Sequence, residues 1–550
     1  MSNINTDLDN VLNLYLKQFA EYLDTNPSSN EVFNELSSSS YNLREELTKI
    51  YEERGIKGYN EIEVLKNFYE GQINFIDYSQ KYSSEAELLI KNYFSSKKTK
   101  ILETYQNFYF VGIGGIGMSA LARYFHASGK KVLGYDKTNT KLTTALMEEG
   151  IDIVFEDIID DKITSLQQEN TLVIYTPAIK KLGILDYFNE NSFEVLKRAK
   201  VLGLITDNTD CIAVAGTHGK TTTSTLVSHL CKEADLPFSC FLGGISENFK
   251  SNFLYNGTQY SVVEADEYDR SFLNLSPDWA VITSTDADHL DIYGDKNTIE
   301  EGFRQFAALV PDDKQLFVRK GIEIGRAHKT YAVNEVADYY SDNLRMDYDK
   351  IYFDFHTPTE TIKDFVWDVP GIHNVENATV ALAILNNLGV DFEILKKAIA
   401  NFKGIKRRYT KHIYPSGKIY IDDYAHHPTE INAVVGSIKT FYPDKKLLVV
   451  FQPHLFSRTR DFVDGFAESL SNSEELILLD IYPARELQEN FEGITSDWLL
   501  EKVSLDKKEI SGLSEAFNKI KEKEFDILLT VGAGNIDTLY DPICEWLGNN

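Results

Sequence analysis

The strongest constraint on how this chain folds is the segment from Cys211 to Thr223. The apolar stretch Cys211-Ile-Ala-Val-Ala215 is followed by Gly216-Thr-His-Gly219 and then by Lys220-Thr-Thr-Thr223. This order predicts a strand, a tight loop and a helix, which is typical of α/β folds. The loop reads G-x-x-G-K-T and is a variant of the phosphate loop. Its backbone N–H groups would cradle phosphates, Lys220 would reach the β- and γ-phosphates, and Thr221 would offer a hydroxyl to Mg²⁺.

A second glycine-rich turn, Gly112-Ile-Gly114-Gly-Ile-Gly117, lies between the apolar stretch 107–111 and a helix predicted from about Met118. Its G-x-G-x-x-G spacing lets a backbone approach a diphosphate at a helix N-terminus. Asp136 ends the next predicted strand, where such folds hold a ribose hydroxyl. Taken alone, the turn fits NAD, FAD, a UDP-sugar or a βα turn without a ligand.

Two acidic segments follow later strands of the same α/β unit. Glu264 comes directly after Ser261-Val-Val263, and Asp286-Ala-Asp288-His289 comes shortly after Ala280-Val-Ile282. Carboxylates at such strand ends can hold Mg²⁺ ions that bridge phosphates. The alternative is a pair of solvated acidic loops.

The last part of the chain carries clustered histidine, aspartate and arginine side chains after two predicted strands. Asp422–Glu430 follows the strand 418–421, and Phe451–Arg460 follows the strand 446–450. Arginine suits a carboxylate and aspartate suits an ammonium group, so these segments fit a zwitterion. The basic Lys406-Arg407-Arg408 segment is either a solvated hinge or a phosphate contact from across a domain boundary.

Composition excludes several classes of function. With 56 Lys plus Arg against 84 Asp plus Glu, the net charge of −28 argues against binding nucleic acid or anionic lipid. No uncharged apolar run approaches about 18 residues, so we expect no membrane span. The N-terminus lacks a basic segment followed by an apolar core, and the four cysteines form no CxxC pair. We expect a cytoplasmic protein of several domains.

The chain divides into a helical start and three successive α/β units. Apolar residues recur at helical spacing within the first 100 residues, which carry no catalytic pattern. Strand–loop–helix alternation begins near residue 106 and predicts parallel sheets with helices on their faces. The aromatic, alternating stretch 328–368 predicts antiparallel strands instead.

Eight ordered segments together resemble the Mur ligases of peptidoglycan synthesis. The resemblance covers roughly residues 106–550. It rests on GIGGIGMSALA (112–122), AGTHGKTTT (215–223), EADEYDRSFL (264–273), DADHLDIYG (286–294), PGIHNVENA (370–378), KRRY (406–409), DDYAHHPTE (422–430) and FQPHLFSRT (451–459).

The resemblance implies an ATP- and Mg²⁺-dependent enzyme. It would attach L-alanine to the lactyl carboxylate of UDP-N-acetylmuramate through an acyl phosphate, with an oligomeric state that stays open. The implied fold is three consecutive α/β domains: a Rossmann-like UDP-binding domain, a phosphate-loop ATPase and a Rossmann-like C-terminal domain. The predicted boundaries are a helical N-terminal extension of unknown role at 1–105, the UDP-substrate domain at 106–208, the ATP-binding domain at 209–407 and the C-terminal domain at 408–550.

The resemblance also implies roles for particular residues. The catalytic residues would be Lys220, His289, Arg458 and His454. The residues around ATP would be Gly216, Thr217, His218, Gly219, Lys220, Thr221, Thr222, His373, Asn377 and Arg408. The residues around the UDP-sugar and the amino acid would be Gly114, Gly115, Ile116, Gly117, Met118, Ser119, Asp136 and His426. The metal ligands would be Thr221, Glu264 and His289.

Departures from the family pattern and rival functions stay open at this point. Ser284 stands where many relatives carry Asn, and Leu455 replaces an Arg of some relatives. The nearest rival is a sibling ligase that attaches a preformed tripeptide in wall recycling. Others are a nicotinamide-dependent oxidoreductase, based on the first glycine-rich turn, and a non-catalytic nucleotide-binding scaffold.

Overall fold

The computed structural model describes residues 102–179, 181–286, 296–347, 350–484 and 486–549. The predicted helical extension, apart from its last residues, and the predicted metal ligand His289 lie outside these ranges. Three sheets organise the described chain, with five, ten and six strands in chain order. The α/β fold class is therefore confirmed, whereas the domain boundaries remain a prediction.

The first sheet is parallel throughout, with strand order β3-β2-β1-β4-β5. Its strands are β1 Asn107–Val111, β2 Lys131–Tyr135, β3 Asp152–Val154, β4 Thr171–Tyr175 and β5 Glu194–Lys197. Its helices are α1 Ile116–Ala127, α2 Lys141–Glu148, α3 Asp161–Thr164, α4 Gly183–Glu190 and α5 Arg198–Thr206. Strand order reverses beside β1, where α/β sheets bind ligands at the carboxyl ends of their strands.

The second sheet runs β15-β14-β13-β12-β11-β10-β6-β9-β7-β8 and combines a parallel centre with antiparallel edges. Its first strands are β6 Asp210–Ala215, β7 Phe238–Ser246, β8 Ser251–Tyr255, β9 Tyr260–Glu264 and β10 Trp279–Ile282. The others are β11 Leu316–Arg319, β12 Lys329–Val333, β13 Tyr339–Asp347, β14 Lys350–His356 and β15 Thr361–Trp367. Its helices are α6 Lys220–Glu233, α7 Lys296–Ala308, α8 Ile372–Asn387 and α9 Phe392–Ala400. The antiparallel pairing of β13, β14 and β15 confirms the prediction for most of residues 328–368, but the prediction is wrong for β12, which pairs in parallel with both β11 and β13.

The third sheet has the order β16-β17-β21-β18-β19-β20, and only its first pair is antiparallel. Its strands are β16 Thr410–Ile413, β17 Ile419–Asp423, β18 Leu447–Phe451, β19 Glu475–Leu479, β20 Lys508–Ser511 and β21 Ile527–Val531. Its helices are α10 Pro428–Phe441, α11 Phe456–Asp461, α12 Val463–Leu470, α13 Ser496–Lys502, α14 Leu513–Lys521 and α15 Tyr540–Gly548.

Buried strands place the polar segments at one edge of each sheet. In the second sheet, β9 and β10 flank β6 in parallel, so Glu264 and Ser284 reach the same edge as the phosphate loop. Val262, Val281 and the residues of β6 from Cys211 to Ala215 are fully buried, which fixes this register. In the third sheet, both histidine-containing segments follow parallel strands, β17 and β18, that pair with β21.

Polar contacts join the three sheets into one body. Asn252 of β8 donates from Nδ2 to the Ile116 carbonyl at 2.6 Å and to Ser119 Oγ at 3.0 Å. Lys141 of α2 pairs with Asp541 of α15 at 2.5 Å, which links the first and third sheets. Among the described helices, none combines the length and apolar character that crossing a bilayer requires.

Candidate nucleotide site between the second and third sheets

The phosphate loop has the backbone geometry that a nucleotide cradle needs. Gly216 and Gly219 have φ angles of +133° and +82°, which side chains other than glycine rarely allow. Gly219 is the N-cap of the 14-residue helix α6, and the free N–H groups of the first turn of this helix point into the loop. Ser284 braces the loop, because its Oγ lies 2.7 Å from Thr217 Oγ1 and accepts from the His218 N–H at 2.8 Å. The serine at this departure from the family pattern therefore supports the loop directly.

Lys220 begins α6 and folds back over the loop. Its Nζ donates to the Gly216 carbonyl at 2.6 Å and lies 2.8 Å from a carboxylate oxygen of Glu267. Although burial disfavours the charged form, the carboxylates of Glu267, Asp266 and Glu264 raise the pKa of Lys220 above its usual range. The ammonium group therefore stays protonated and is available to phosphate oxygens.

Thr221 and Glu264 form a pair of oxygen donors beside the loop. Thr221 is buried beside Glu264, and Glu264 accepts from the Gly243 N–H at 3.0 Å. Burial raises the pKa of Glu264, and this effect is opposed by Lys220 and by the Thr221 hydroxyl. Among the residues that the structure describes, no three His, Cys, Asp or Glu side chains cluster as metal ligands.

A cavity of about 240 Å³ opens beside the phosphate loop, between the second and third sheets. Six residues predicted around ATP line it: His218, Gly219, Thr222, His373, Asn377 and Arg408. The amide of Asn377 packs so close to Gly219 that a Cβ there would lie 2.7 Å from Asn377 Oδ1. His373 lines the same cavity with an exposed side chain.

The sequence analysis did not single out several other residues that line the cavity, among them the three that follow. Asn374 lies one residue after His373 and donates to the Pro370 carbonyl at 2.6 Å. Arg319 and Glu376 form an ion pair at 2.9 Å in the cavity wall. Asn374 and Glu376 belong to the PGIHNVENA motif at 370–378, whereas Arg319 is the last residue of the ordinary strand β11 and has no local signal.

The linker before the third sheet places Arg408 in the cavity. Arg407 and Tyr409, on either side of it, have φ angles of +62° and +51°. Asp423 holds this turn, because its two oxygens accept from the Tyr409 and Ala425 N–H groups, each at 2.7 Å. Burial raises the pKa of Asp423 to about 6, although Arg408 opposes the shift.

The third sheet contributes an array of side chains that starts at the phosphate loop. The ring of His218 lies 5.2 Å from that of His427, and the ring of His426 lies 6.3 Å from that of His454. Arg458 is buried in the short helix α11, which follows His454. None of His426, His454 and Arg458, all within the described chain, lines the 240 Å³ cavity itself. They extend the site beyond it.

The glycine-rich turn of the first sheet is a separate loop. Gly114 donates its N–H to Asp136 Oδ2 at 2.8 Å, so this aspartate braces the turn. Gly115 and Ile116 are exposed, Gly114 and Gly117 are half-buried, and Met118 and Ser119 are buried. The Ser119 hydroxyl donates to the Ile116 carbonyl at 2.9 Å. These described residues do not line the cavity next to the phosphate loop.

Arg198, at the start of α5, lies against this turn and was not singled out from the sequence. A Cβ built on Gly117 would lie 2.9 Å from Arg198 Nη1. No carboxylate among the described residues pairs with this guanidinium. A cation thus faces the N-terminus of the 12-residue helix α1, where a diphosphate is favoured.

The three sheets and the cleft define a three-domain α/β enzyme with a nucleotide-phosphate loop at a domain junction. Family models match in the same order: "Mur ligase family, catalytic domain" at residues 107–209, "Mur ligase middle domain" at 214–385 and "Mur ligase, glutamate ligase domain" at 408–534. The chain belongs to the Mur ligase family.

Individual relatives agree with this assignment. The UDP-N-acetylmuramate–L-alanine ligase of Christiangramia forsetii is 49% identical over 441 residues, which are 80% of this chain and 96% of the relative. The enzyme of the same name from Flavobacterium johnsoniae is 49% identical over 82% of this chain and 99% of its own. The crystal structure of UDP-N-acetylmuramate-alanine ligase MurC from Thermotoga maritima has a TM-score of 0.67 at 26% identity, covering 80% and 98% of the two chains.

Proposed function

We propose that this protein is an ATP-dependent ligase that joins L-alanine to UDP-N-acetylmuramate in the synthesis of peptidoglycan precursors. The observation that carries the proposal is the 49% identity, over nearly the whole length of the relatives, to enzymes named for this reaction. The phosphate loop, the cavity beside it and the histidine side chains of the third sheet support the proposal. We place the reaction in the cytoplasm, where the nucleotide substrates are made. Nothing in the comparisons supports the oxidoreductase alternative.

ATP fits the cleft between the second and third sheets. The loop N–H groups and Lys220 would hold the phosphates, and His373 and Asn377, which line the cavity, would lie near the adenine. Mg²⁺ suits the oxygen donors Thr221 and Glu264, because this ion is held by one or two carboxylates plus phosphates. When bound, it neutralises charge on the phosphates. His289, outside the described residues, remains a predicted ligand.

The reaction then proceeds in two steps that this chain's residues arrange. A lactyl carboxylate oxygen forms a bond to the γ-phosphorus, the bond to the β–γ bridging oxygen breaks, and ADP leaves. Lys220, which exchanges its contact with Glu267 for phosphate oxygens, stabilises the charge of the transferring group. The neutral amine of L-alanine attacks the acyl carbon, phosphate leaves and the amide nitrogen loses a proton. Closure of the third sheet's domain over the cleft excludes water from the acyl phosphate.

The third sheet would present the amino acid to this intermediate. Arg458 would bind the alanine carboxylate, while His426 and His454 would frame the amine, since their rings lie 6.3 Å apart. Leu455 is the N-cap of α11 and has a φ angle of +69°. An apolar side chain therefore lies directly before this helix.

The test is ligation with each substrate omitted in turn. We expect phosphate release only with ATP, UDP-N-acetylmuramate and L-alanine together, and a product whose mass is that of UDP-N-acetylmuramoyl-L-alanine. A parallel reaction supplies the preformed tripeptide in place of L-alanine. A product with the tripeptide but none with L-alanine would contradict the proposal, and so would the absence of ATP hydrolysis with every combination.

Arg198 supplies a prediction about the UDP-sugar. Arg198→Ala removes the guanidinium beside Gly117 and should raise the KM for UDP-N-acetylmuramate. A hydrogen bond to a charged group contributes about 1.5–3 kcal/mol, which corresponds to about a 10- to 100-fold change. The KM for ATP should stay within about twofold, because Arg198 does not line the ATP cavity.

The matched control is Lys197→Ala, which removes an exposed cation one residue away. Steady-state kinetics with each substrate varied in turn separates the two effects. An equal rise in the KM for UDP-N-acetylmuramate in both variants would show that general charge, and not Arg198, is responsible.

A further inference from the structure

Glu430, in the first turn of α10, contacts groups from three segments of the chain. Its Oε1 lies 3.3 Å from Nδ1 of His218 in the phosphate loop. Its Oε2 accepts from the His426 N–H at 3.0 Å and lies 3.4 Å from His426 Nδ1. Arg408 of the linker approaches Oε1 at 3.9 Å. One carboxylate therefore joins the phosphate loop, the linker and the amino-acid side of the site.

A carboxylate at this place needs a reason, because the cavity that it lines is expected to hold a polyphosphate. Although burial favours the neutral acid, His426, His218 and Arg408 hold the pKa of Glu430 well below its usual range. Glu430 is therefore an anion in the working enzyme. Its negative charge repels the phosphates, and this repulsion is offset only by the contacts with His218, His426 and Arg408 that Glu430 holds in place.

We propose that Glu430 is a positioning residue. It fixes the position of the phosphate loop relative to the amino-acid side of the site when the domain of the third sheet packs against that of the second. Oε1 orients His218 on the ATP side, and Oε2 orients the backbone and ring of His426 on the side of the incoming amine. The amino-acid part of this inference rests on the proposed function. The contact with the phosphate loop does not.

The surroundings of Glu430 explain how one residue can serve both sides. Asp286 lies 3.6 Å from the other ring nitrogen of His218, so a carboxylate stands near each ring nitrogen and only that of Glu430 is within hydrogen-bond distance. Asp423 and His373 also interact with Glu430, since the negative charge of Glu430 acts to raise the pKa of both side chains. Without the carboxylate, His218, His426 and Arg408 lose a shared counter-charge and the geometry that it imposes.

The first test is Glu430→Gln, which keeps the shape and removes the charge. We expect the KM for L-alanine to rise about 10- to 100-fold, in line with the loss of charged hydrogen bonds. The KM for UDP-N-acetylmuramate should stay within about twofold, because the glycine-rich turn of the first sheet lies elsewhere. A variant that was only less well folded would show a lower kcat with the KM for each substrate unchanged. Glu468→Gln, an exposed carboxylate of α12, is the matched control and should behave as the wild type.

The second test is a double-mutant cycle between Glu430→Gln and His218→Asn. If Glu430 acts through His218, the double variant should bind a non-hydrolysable ATP analogue about as well as the weaker single variant. Calorimetry measures this binding without any amino acid, so it stands even if the amino-acid assignment fails. His218→Asn also tests the contact from the other side should Glu430→Gln fold poorly.

Three results would overturn the proposal. They are wild-type kinetics in Glu430→Gln, equal rises in the KM for L-alanine and for UDP-N-acetylmuramate, and losses of ATP-analogue affinity that simply multiply in the double variant. Failure of the wild-type enzyme to ligate L-alanine would instead count against the proposed function, since the analogue-binding cycle is scored separately.

Discussion

Lys220→Ala is expected to abolish the ADP release that depends on both UDP-N-acetylmuramate and L-alanine. The ammonium group is the cation that the phosphate loop itself supplies, and Glu267, Asp266 and Glu264 keep it protonated. Removing one preorganised group that stabilises a transition state lowers kcat by about 10²–10³-fold. Here the loss should be at least that large, because Glu267 would then face the phosphates without its partner at 2.8 Å.

Lys232→Ala provides the control for this experiment on the same helix. Lys232 is exposed in the last turn of α6, 12 positions after Lys220, and its ammonium lies over the ring of Phe249 at 5.4 Å. Its removal should leave the rate unchanged within about twofold. Coupled measurement of ADP release, with melting curves of both variants, separates lost chemistry from lost folding. Full activity in Lys220→Ala would refute the assignment of the phosphate loop.

The sequence predicts those parts of the candidate site that consist of consecutive residues. The phosphate loop, the glycine-rich turn and the segments that follow β9, β17 and β18 all depend on a buried strand and the few residues after it. Such strands have a hydrophobic pattern that fixes where they end, and parallel strands end at the same edge. The α/β class and the antiparallel strands β13, β14 and β15 followed from the same local patterns, whereas the parallel pairing of β12 did not.

The contacts that complete the site are different in kind, because they join residues far apart in the chain. Glu430 and His218 are 212 residues apart, and their contact depends on how the third sheet's domain sits on the second. Glu267 was visible in an acidic segment, but nothing in that segment indicates that it pairs with Lys220. Arg198 lies in an ordinary helix start, and only the packing of α5 against the turn at Gly117 gives it a role.

The second large effect is expected from Gly216→Ala. Gly216 has a φ angle of +133°, and a Cβ there would lie 2.0 Å from Thr283 Oγ1 and 2.8 Å from the Ser284 N. Thr283 cannot easily move away, because its hydroxyl donates to the Ala215 carbonyl at 3.1 Å and also to the His218 carbonyl. Backbone strain and overpacking together should cost about 2–6 kcal/mol. We expect ATP-analogue binding, measured by calorimetry, to be lost and the melting temperature to fall.

Gly436→Ala shows why this effect belongs to the loop and not to glycine replacement in general. Gly436 is exposed within α10, and a Cβ built on it meets no atom within 4 Å. Alanine there should stabilise the helix by about 0.5–1 kcal/mol and leave nucleotide binding unchanged. Replacing glycine by alanine should thus lower stability at Gly216 and raise it at Gly436. Only Gly216 combines a positive φ with closely packed neighbours, which are held in place at the end of β10. Normal nucleotide affinity in Gly216→Ala would mean that the loop does not have the closely packed geometry on which the proposed phosphate site depends.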